Sequence, residues 1–331
     1  MEMNKADGIN KVAIIGAGTM GPGMAAVFAA HSYETRLMDI KPDVLEKARG
    51  AVEVVYQTLV DEGFLSREAA SQGRERLTFT TSQEEAVKDA DLVVEAIPEQ
   101  RPLKETFYRE VESQVRDETV LASNTSGIPI SELCAFCRNP ERVVGMHWSN
   151  PPHIIPVIEV IRGDRTADRA VQLTTSVVAS IGMIPVVIRR DVPGFVENRI
   201  LYAIMREALN LLEEGVATPE DIDTVTKWGI GFKLSVIGPL ELLDMAGLDI
   251  YSSVASYLNA DLSASDEVSK VITERVERGD LGIKTGRGLF EYRPDEIPQI
   301  MRRRMRGLLA AKKALMASDE SSKSAAPDAG S

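Results

Sequence analysis

Three segments follow one another near the start of the chain: Lys11-Val-Ala-Ile-Ile15, Gly16-Ala-Gly18-Thr-Met-Gly21 and Met24-Ala-Ala-Val-Phe-Ala-Ala30. The first is a short apolar run rich in β-branched residues, and the last a small-residue helical pattern. A Gly-x-Gly-x-x-Gly spacing says little alone, but here a strand precedes it and a helix follows. In that setting the glycines allow a tight turn, close approach of backbone to a pyrophosphate, and close packing of helix on strand. The helix N-terminus offers free N–H groups and its positive dipole end to the phosphates. A second strand, Thr35-Arg-Leu-Met38, runs into Asp39. An acidic residue about 20 positions after the glycines is placed to accept the ribose hydroxyls of NAD. It also repels a 2′-phosphate, and Ile40 rather than an arginine follows, so the pattern reads as NAD over NADP. Asp39 as the cap of the turn Asp39-Ile-Lys-Pro42 explains the same residue without a ligand. The expected fold is α/β, a doubly wound Rossmann domain binding NAD. Its cofactor contacts would include Gly16, Ala17, Gly18, Thr19, Met20, Gly21 and Asp39.

Outward from this unit, Val44 to Arg76 has a helical pattern broken near Gly63, which predicts a helical hairpin inserted at about 44–76. Leu77–Thr80, Asp91–Ile97 and Val120–Ala122 read as further strands, the second a buried parallel one. Pro98-Glu-Gln-Arg-Pro102 and Ser123-Asn-Thr-Ser-Gly127 follow two of them, at the edge where such sheets bind ligands. A helix around Ala167–Ile181 and a strand Ile184–Ile188 close the domain. Asp191-Val-Pro-Gly-Phe195 is a turn-rich hinge. The expected division is a nucleotide-binding domain over 1–189, an all-helical domain for substrate and dimerisation over 190–317, and a disordered tail over 318–331. Thr218-Pro-Glu-Asp221 predicts a helix start within the second domain.

The chemistry concentrates in Gly145-Met-His-Trp-Ser-Asn-Pro-Pro-His-Ile-Ile-Pro-Val-Ile-Glu159. The run Val143–Met146 predicts a strand with His147 just after it, and Pro156–Ile161 predicts another. On an alternating strand Glu159 shares a face with Val157 and Ile161, among apolar neighbours. A buried carboxylate needs a partner or becomes protonated, and His147 is one short connection away. A structural His–carboxylate pair has the same sequence pattern. His31, in a helix-to-strand connection, and His153, in a proline-flanked loop, are expected to be non-catalytic.

The 331 residues are enough for two cores. A net charge of −12 argues against nucleic acid or an anionic membrane as partner. No apolar run has the length of a membrane span and the N-terminus lacks a signal-peptide layout, which predicts a cytoplasmic protein. Cys134 and Cys137 form a Cys-x-x-Cys pair. Zinc would need two further ligands that no neighbouring motif supplies, so no metal is expected.

The glycine loop, Ser123-Asn-Thr-Ser126, the His147…Glu159 pair and Asp191-Val-Pro-Gly-Phe-Val-Glu-Asn198-Arg together resemble the 3-hydroxyacyl-CoA dehydrogenase family, in its order and spacing, from about Lys11 to Tyr292. The resemblance implies a doubly wound NAD domain followed by a helical domain that carries homodimer contacts. It makes His147 the catalytic base, Glu159 its orienting partner, and Ser126 and Asn198 the polar contacts to substrate and nicotinamide. It adds Glu99, Lys104, Asn150 and Lys284 to the cofactor contacts. Removing a hydroxyl proton as hydride leaves suits a histidine, which titrates near neutral pH.

Three departures bear on the substrate. Trp148-Ser149 stands where the acyl-CoA members usually have two phenylalanines. The hairpin carries Glu53, Asp61, Glu62 and Glu68 where those enzymes present basic groups to CoA. Gly231-Phe-Lys-Leu-Ser-Val-Ile-Gly-Pro239 is longer than the family's compact turn and places Lys233 as a possible partner for a substrate carboxylate. These features look like the branch acting on free hydroxy acids. The resemblance thus implies oxidation of a 3-hydroxyacyl compound or of a carboxylate-bearing alcohol or aldehyde hydrate, with a pyridine-carboxylate aldehyde as one alternative. A non-enzymatic NAD-binding protein and a lysine-dependent hydroxyacid dehydrogenase are the competing readings.

Overall fold

A computed structural model describes residues 5–325. By its internal contacts the chain divides into two units, Met1–Asn198 and Arg199–Ser331.

The first unit contains, in order, β1 (Lys11–Ile15), α1 (Gly21–Ala30), β2 (Glu34–Met38), α2 (Pro42–Asp61), α3 (Arg67–Arg76), β3 (Leu77–Thr80) and α4 (Gln83–Val87). Then come β4 (Leu92–Glu95), α5 (Arg101–Val111), β5 (Val120–Ser123), α6 (Ile130–Cys134), β6 (Val143–Trp148), β7 (Val157–Ile161), α7 (Asp168–Ser180) and β8 (Ile184–Ile188). The strands form one sheet in the order β3-β2-β1-β4-β5-β6-β7-β8. It is parallel except between β6 and β7. Chain order reverses between β1 and β4, which opens the ligand crevice of a doubly wound sheet at the carboxyl ends of these strands.

Alternation divides the strand residues between two cores. Val12, Ile14, Leu92, Val94, Met146, Trp148 and Ile158 pack on one side with α1, α2 and α7. Ala13, Ile15, Val93, Leu121, Val143 and Ile161 pack on the other with α5 and α6. Strands buried on both faces are continuous apolar runs, which is why β4 and β5 were recognisable without any amphipathic signal.

Three boundaries differ from the sequence expectation. Strand β6 runs through His147 to Trp148 instead of ending at Met146, because the ladder to β7 continues to the pair Trp148–Ile158. Residues 191–198 belong to the first unit rather than to the helical domain. Asp191 accepts bonds from the Ser131 amide (2.6 Å) and hydroxyl (3.1 Å), and Phe195 is fully buried in the second core.

The second unit continues α8 (Glu197–Glu213), which starts at the boundary, with α9 (Pro219–Val225), α10 (Phe232–Leu234), α11 (Pro239–Ala246), α12 (Leu248–Asp261), α13 (Lys270–Glu277) and α14 (Ile297–Ala325). A π-helical turn at Thr226–Gly231 joins α9 to α10. Thr218 caps α9 by accepting from the Asp221 amide, with Pro219 in the first turn as the sequence implied. The third difference is at the end of the chain. α14 reaches Ala325, eight residues into the stretch expected to be disordered, while 326–331 lie outside the described residues. That extension contains neither glycine nor proline, so an established helix propagates through it at little cost per residue. No helix among the described residues is long and apolar enough to cross a membrane.

Candidate active site

The glycine loop leaves β1 at the sheet's carboxyl edge. A Cβ on Gly16, whose φ is +109°, would lie 2.5 Å from the Ala96 carbonyl oxygen, so only glycine lets the loop pass the end of β4. A Cβ on Gly18 would meet nothing within 4 Å, leaving its backbone open to a ligand. No side chain caps α1 and its first turn has no acidic residue, so its N–H groups face the crevice without a built-in competitor for a phosphate. Asp39 caps its turn and also holds the glycine loop. Its Oδ2 accepts the Ala17 amide at 3.0 Å and its Oδ1 the Lys41 amide at 3.0 Å, so it fastens the glycine loop while lying at the end of β2. This arrangement fits a dinucleotide.

A buried ionic chain supports the neighbouring loops. Glu95, at the end of β4, accepts from Lys104 Nζ at 2.6 Å, Ser123 Oγ at 2.7 Å and the Ile97 amide at 2.9 Å. The Lys104 side chain is 1% exposed and also reaches Glu99 Oε2 at 3.2 Å. Oε1 of Glu99 accepts from the Thr125 hydroxyl and from the Ser126 and Gly127 amides, both at 3.0 Å. Burial pushes the Glu99 carboxyl up. The Thr125 bond, the Lys104 charge and the Gly127 amide more than offset it, so its pKa falls below the ordinary value. Lys104, expected at the cofactor, therefore spends its ammonium inside the protein and connects to the Ser126 loop through Glu99.

The antiparallel register of β6 and β7 sets His147 directly opposite Glu159. His147 Nδ1 lies 2.8 Å from Glu159 Oε2, and both side chains are buried. Glu159 Oε1 accepts the amides of Val196 (3.0 Å) and Glu197 (3.1 Å). Burial raises the Glu159 pKa, but the His147 bond and these two amides outweigh it and hold the group ionised. An ionised Glu159 favours the tautomer with hydrogen on Nδ1, which leaves a lone pair on Nε2. Phe195 packs beside the imidazole, with ring centroids 5.6 Å apart. Asn198 Nδ2 donates to the Ser126 carbonyl oxygen at 3.3 Å, joining the start of α8 to the loop after β5.

Trp148 is not a pocket residue: it is buried in the first core, 5.7 Å from the Phe28 ring. Its neighbour Ser149 turns the other way and bonds Glu197 Oε2 through its hydroxyl. Asn150 is exposed and precedes a cis proline. Lys233 and Lys284 are exposed residues of the second unit. Cys134 and Cys137 are buried free thiols, which burial pushes up to about 11 and about 12, so neither is primed for redox chemistry.

Three participants were missed in the sequence. Glu95 was detectable as a charge ending an otherwise apolar strand, and such a group needs a partner. In the sequence Ser149 stands out only as a departure from the family pattern. Glu197 gave no signal, since an acidic residue in the first turn of a helix is ordinary. Yet His147, Glu159 and Glu197 each place a ligand-type atom within 4.8 Å of the others.

A doubly wound NAD-binding unit with a His–carboxylate pair at its ligand edge is the plan of a nicotinamide-dependent dehydrogenase. The chain belongs to the 3-hydroxyacyl-CoA dehydrogenase family: its NAD-binding domain matches residues 11–192 and its C-terminal domain residues 194–292. It is 48% identical over 307 residues to the 5-formyl-3-hydroxy-2-methylpyridine 4-carboxylate 5-dehydrogenase of Mesorhizobium japonicum, covering 93% of this chain and 98% of that one. Among solved structures it is similar to a 5-dehydrogenase of the same acid, an NAD+-dependent dismutase. That match has a TM-score of 0.89 and 48% identity over 93% of this chain and 99% of that one. An (S)-3-hydroxybutyryl-CoA dehydrogenase from Ralstonia eutropha gives a TM-score of 0.72 and 33% identity, over 86% of this chain and 99% of that one. The chain is an NAD-dependent oxidoreductase of this family.

Proposed function

We propose that this enzyme oxidises the aldehyde of a pyridine carboxylate, 5-formyl-3-hydroxy-2-methylpyridine 4-carboxylate or a near relative, through its hydrate. The observation that carries this reading is the 48% identity to a dehydrogenase of that acid over nearly the whole of both chains. Ser149 and the acidic hairpin favour it over a CoA thioester. Bound NAD supplies the hydride acceptor. His147 Nε2 takes the hydroxyl proton as the hydride departs, and Glu159 stabilises the resulting imidazolium across the 2.8 Å contact. Ser126 and Asn198 hold the reacting oxygen in line, with Lys233 as the partner for the substrate carboxylate. Glu99, Asn150 and Lys284 complete the cofactor contacts.

The family's 3-hydroxyacyl-CoA activity is the second reading, favoured by the 33% identity to the Ralstonia enzyme over most of this chain. Measuring NAD reduction with the formyl acid, 3-hydroxybutyryl-CoA and carnitine separates the two: turnover of the thioester alone overturns the pyridine reading. His147→Ala should lower kcat by about 10³-fold or more while NAD still binds, and retained turnover overturns the assignment of the base.

We also place the enzyme in the cytoplasm as a homodimer. The unpaired Cys134 and Cys137 suit a reducing compartment, and the apolar side chains exposed on α9–α12 suit a second copy.

A further inference from the structure

Glu197 is a second carboxylate beside His147, and removing a hydroxyl proton there gives it nothing to do. Glu159 already orients the imidazole, with Oε2 on His147 and Oε1 on two backbone amides. The Glu197 side chain nonetheless turns back to the same point, within 4.8 Å of the His147 and Glu159 ligand atoms, and is held there by the Ser149 hydroxyl. Glu159 is 2% exposed, whereas Glu197 and Ser149 are half-buried and within reach of water. One sealed carboxylate therefore orients the histidine, and a second, wetter one lies beside the same dyad.

An aldehyde cannot give up hydride directly, because it has no hydroxyl proton to lose and the carbon left behind would be an acylium. Water must add first. Resting on the aldehyde reading above, we infer that Glu197 is the general base for that addition. A Glu197 carboxylate oxygen takes a proton from water as the water oxygen bonds to the aldehyde carbon. With His147 entering this step as the imidazolium, the carbonyl π pair moves onto the aldehyde oxygen, which takes the Nε2 proton. The neutral imidazole then removes a hydroxyl proton from the gem-diol as hydride leaves its carbon for NAD+, and the C=O bond of the acid forms. The proton on Glu197 returns to solvent past the Ser149 hydroxyl. The sum is aldehyde, water and NAD+ giving acid, NADH and one proton, with His147 used once as acid and once as base.

Oxidation of the aldehyde needs added water and its reduction does not, so one substrate run in both directions tests the idea. With 5-formyl-3-hydroxy-2-methylpyridine 4-carboxylate, Glu197→Gln should lower kcat for NAD+-dependent oxidation by about 10²-fold, the usual scale for a general base. NADH-dependent reduction of the same aldehyde to the hydroxymethyl compound should remain within about threefold, since water plays no part in it. Glu197→Asp should recover part of the oxidation rate, and Ser149→Ala should slow oxidation selectively. NADH fluorescence titration reports whether each variant retains its fold. If Glu197→Gln loses cofactor binding, the same selective loss is required of Glu197→Asp and Ser149→Ala. Equal slowing of both directions, or of neither, overturns the role of Glu197. A wild-type enzyme inactive on the aldehyde in both directions overturns the substrate reading and this inference with it.

Discussion

The two units of the chain satisfy their apolar residues differently. In the first, both faces of the central strands are covered, with the sheet's exposed apolar residues confined to the edge strand β8, and even the ionic chain Glu95–Lys104 is buried at the end of β4. In the second, helices α8 to α13 have no buried residue, and Trp228, Phe232, Leu240 and Met245 are each at least 64% exposed. The first unit has its core within one chain. The second leaves large apolar side chains uncovered by its own chain. Large exposed apolar side chains in such number suit a surface that meets a partner.

The largest expected effect follows from how dry the first unit is. Lys104→Ala leaves Glu95 and part of Glu99 without a counter-charge, and should lower stability by about 3–5 kcal/mol in urea unfolding. Replacing both partners, as Lys104→Met with Glu95→Gln, should recover part of that loss. A cost of under 1 kcal/mol for the single change would show that water reaches this pair. Next comes the exposed surface. Trp228→Asp with Leu240→Asp should weaken self-association at least tenfold by sedimentation, with the melting of the first unit little changed. Unchanged sedimentation would mean that these residues face solvent in the working enzyme.

Acid should act mainly through the first unit. Glu159 and Glu99 have folded-state pKa values below the ordinary 4.5. A depressed carboxylate contributes stability that is complete above the unfolded value and is lost as pH falls through the folded one. Thermal midpoints should therefore stay level from neutral pH to about 5 and decline below 4.5. A decline beginning near pH 6.5 would implicate a histidine instead. Smallest is Gly50→Ala on the outer face of α2, where an added Cβ meets nothing within 4 Å. It should stabilise the first unit by about 0.5–1 kcal/mol.

The nucleotide-binding half of the fold was legible because its rules are local. A β-branched run, a glycine loop and a small-residue helix each declare themselves within a few residues, and Asp39 follows at a fixed distance. The pair His147 and Glu159 was legible for a related reason: a carboxylate inside an apolar strand demands a partner nearby in sequence. Glu197 was not, because its importance comes from the chain turning back over 38 residues to bring it beside Glu159. Nor was the inward turn of Trp148, since an aromatic residue next to a histidine reads equally well as pocket or core. The full length of α14 was hidden by composition: a polar stretch with nothing to bury looks disordered even where an existing helix extends through it.

The lone antiparallel pair in the sheet has an evolutionary consequence. Because His147 and Glu159 face each other across the β6–β7 ladder, backbone hydrogen bonds hold the dyad in register, whatever the connecting residues are. The connection at 149–156 can therefore be rewritten without disturbing the register of His147 and Glu159. Ser149, at the first position after the ladder, lies outside that register, so a change there leaves the His147–Glu159 pairing in place. Divergence among these enzymes should accordingly appear first in that turn and last in the two strands that flank it.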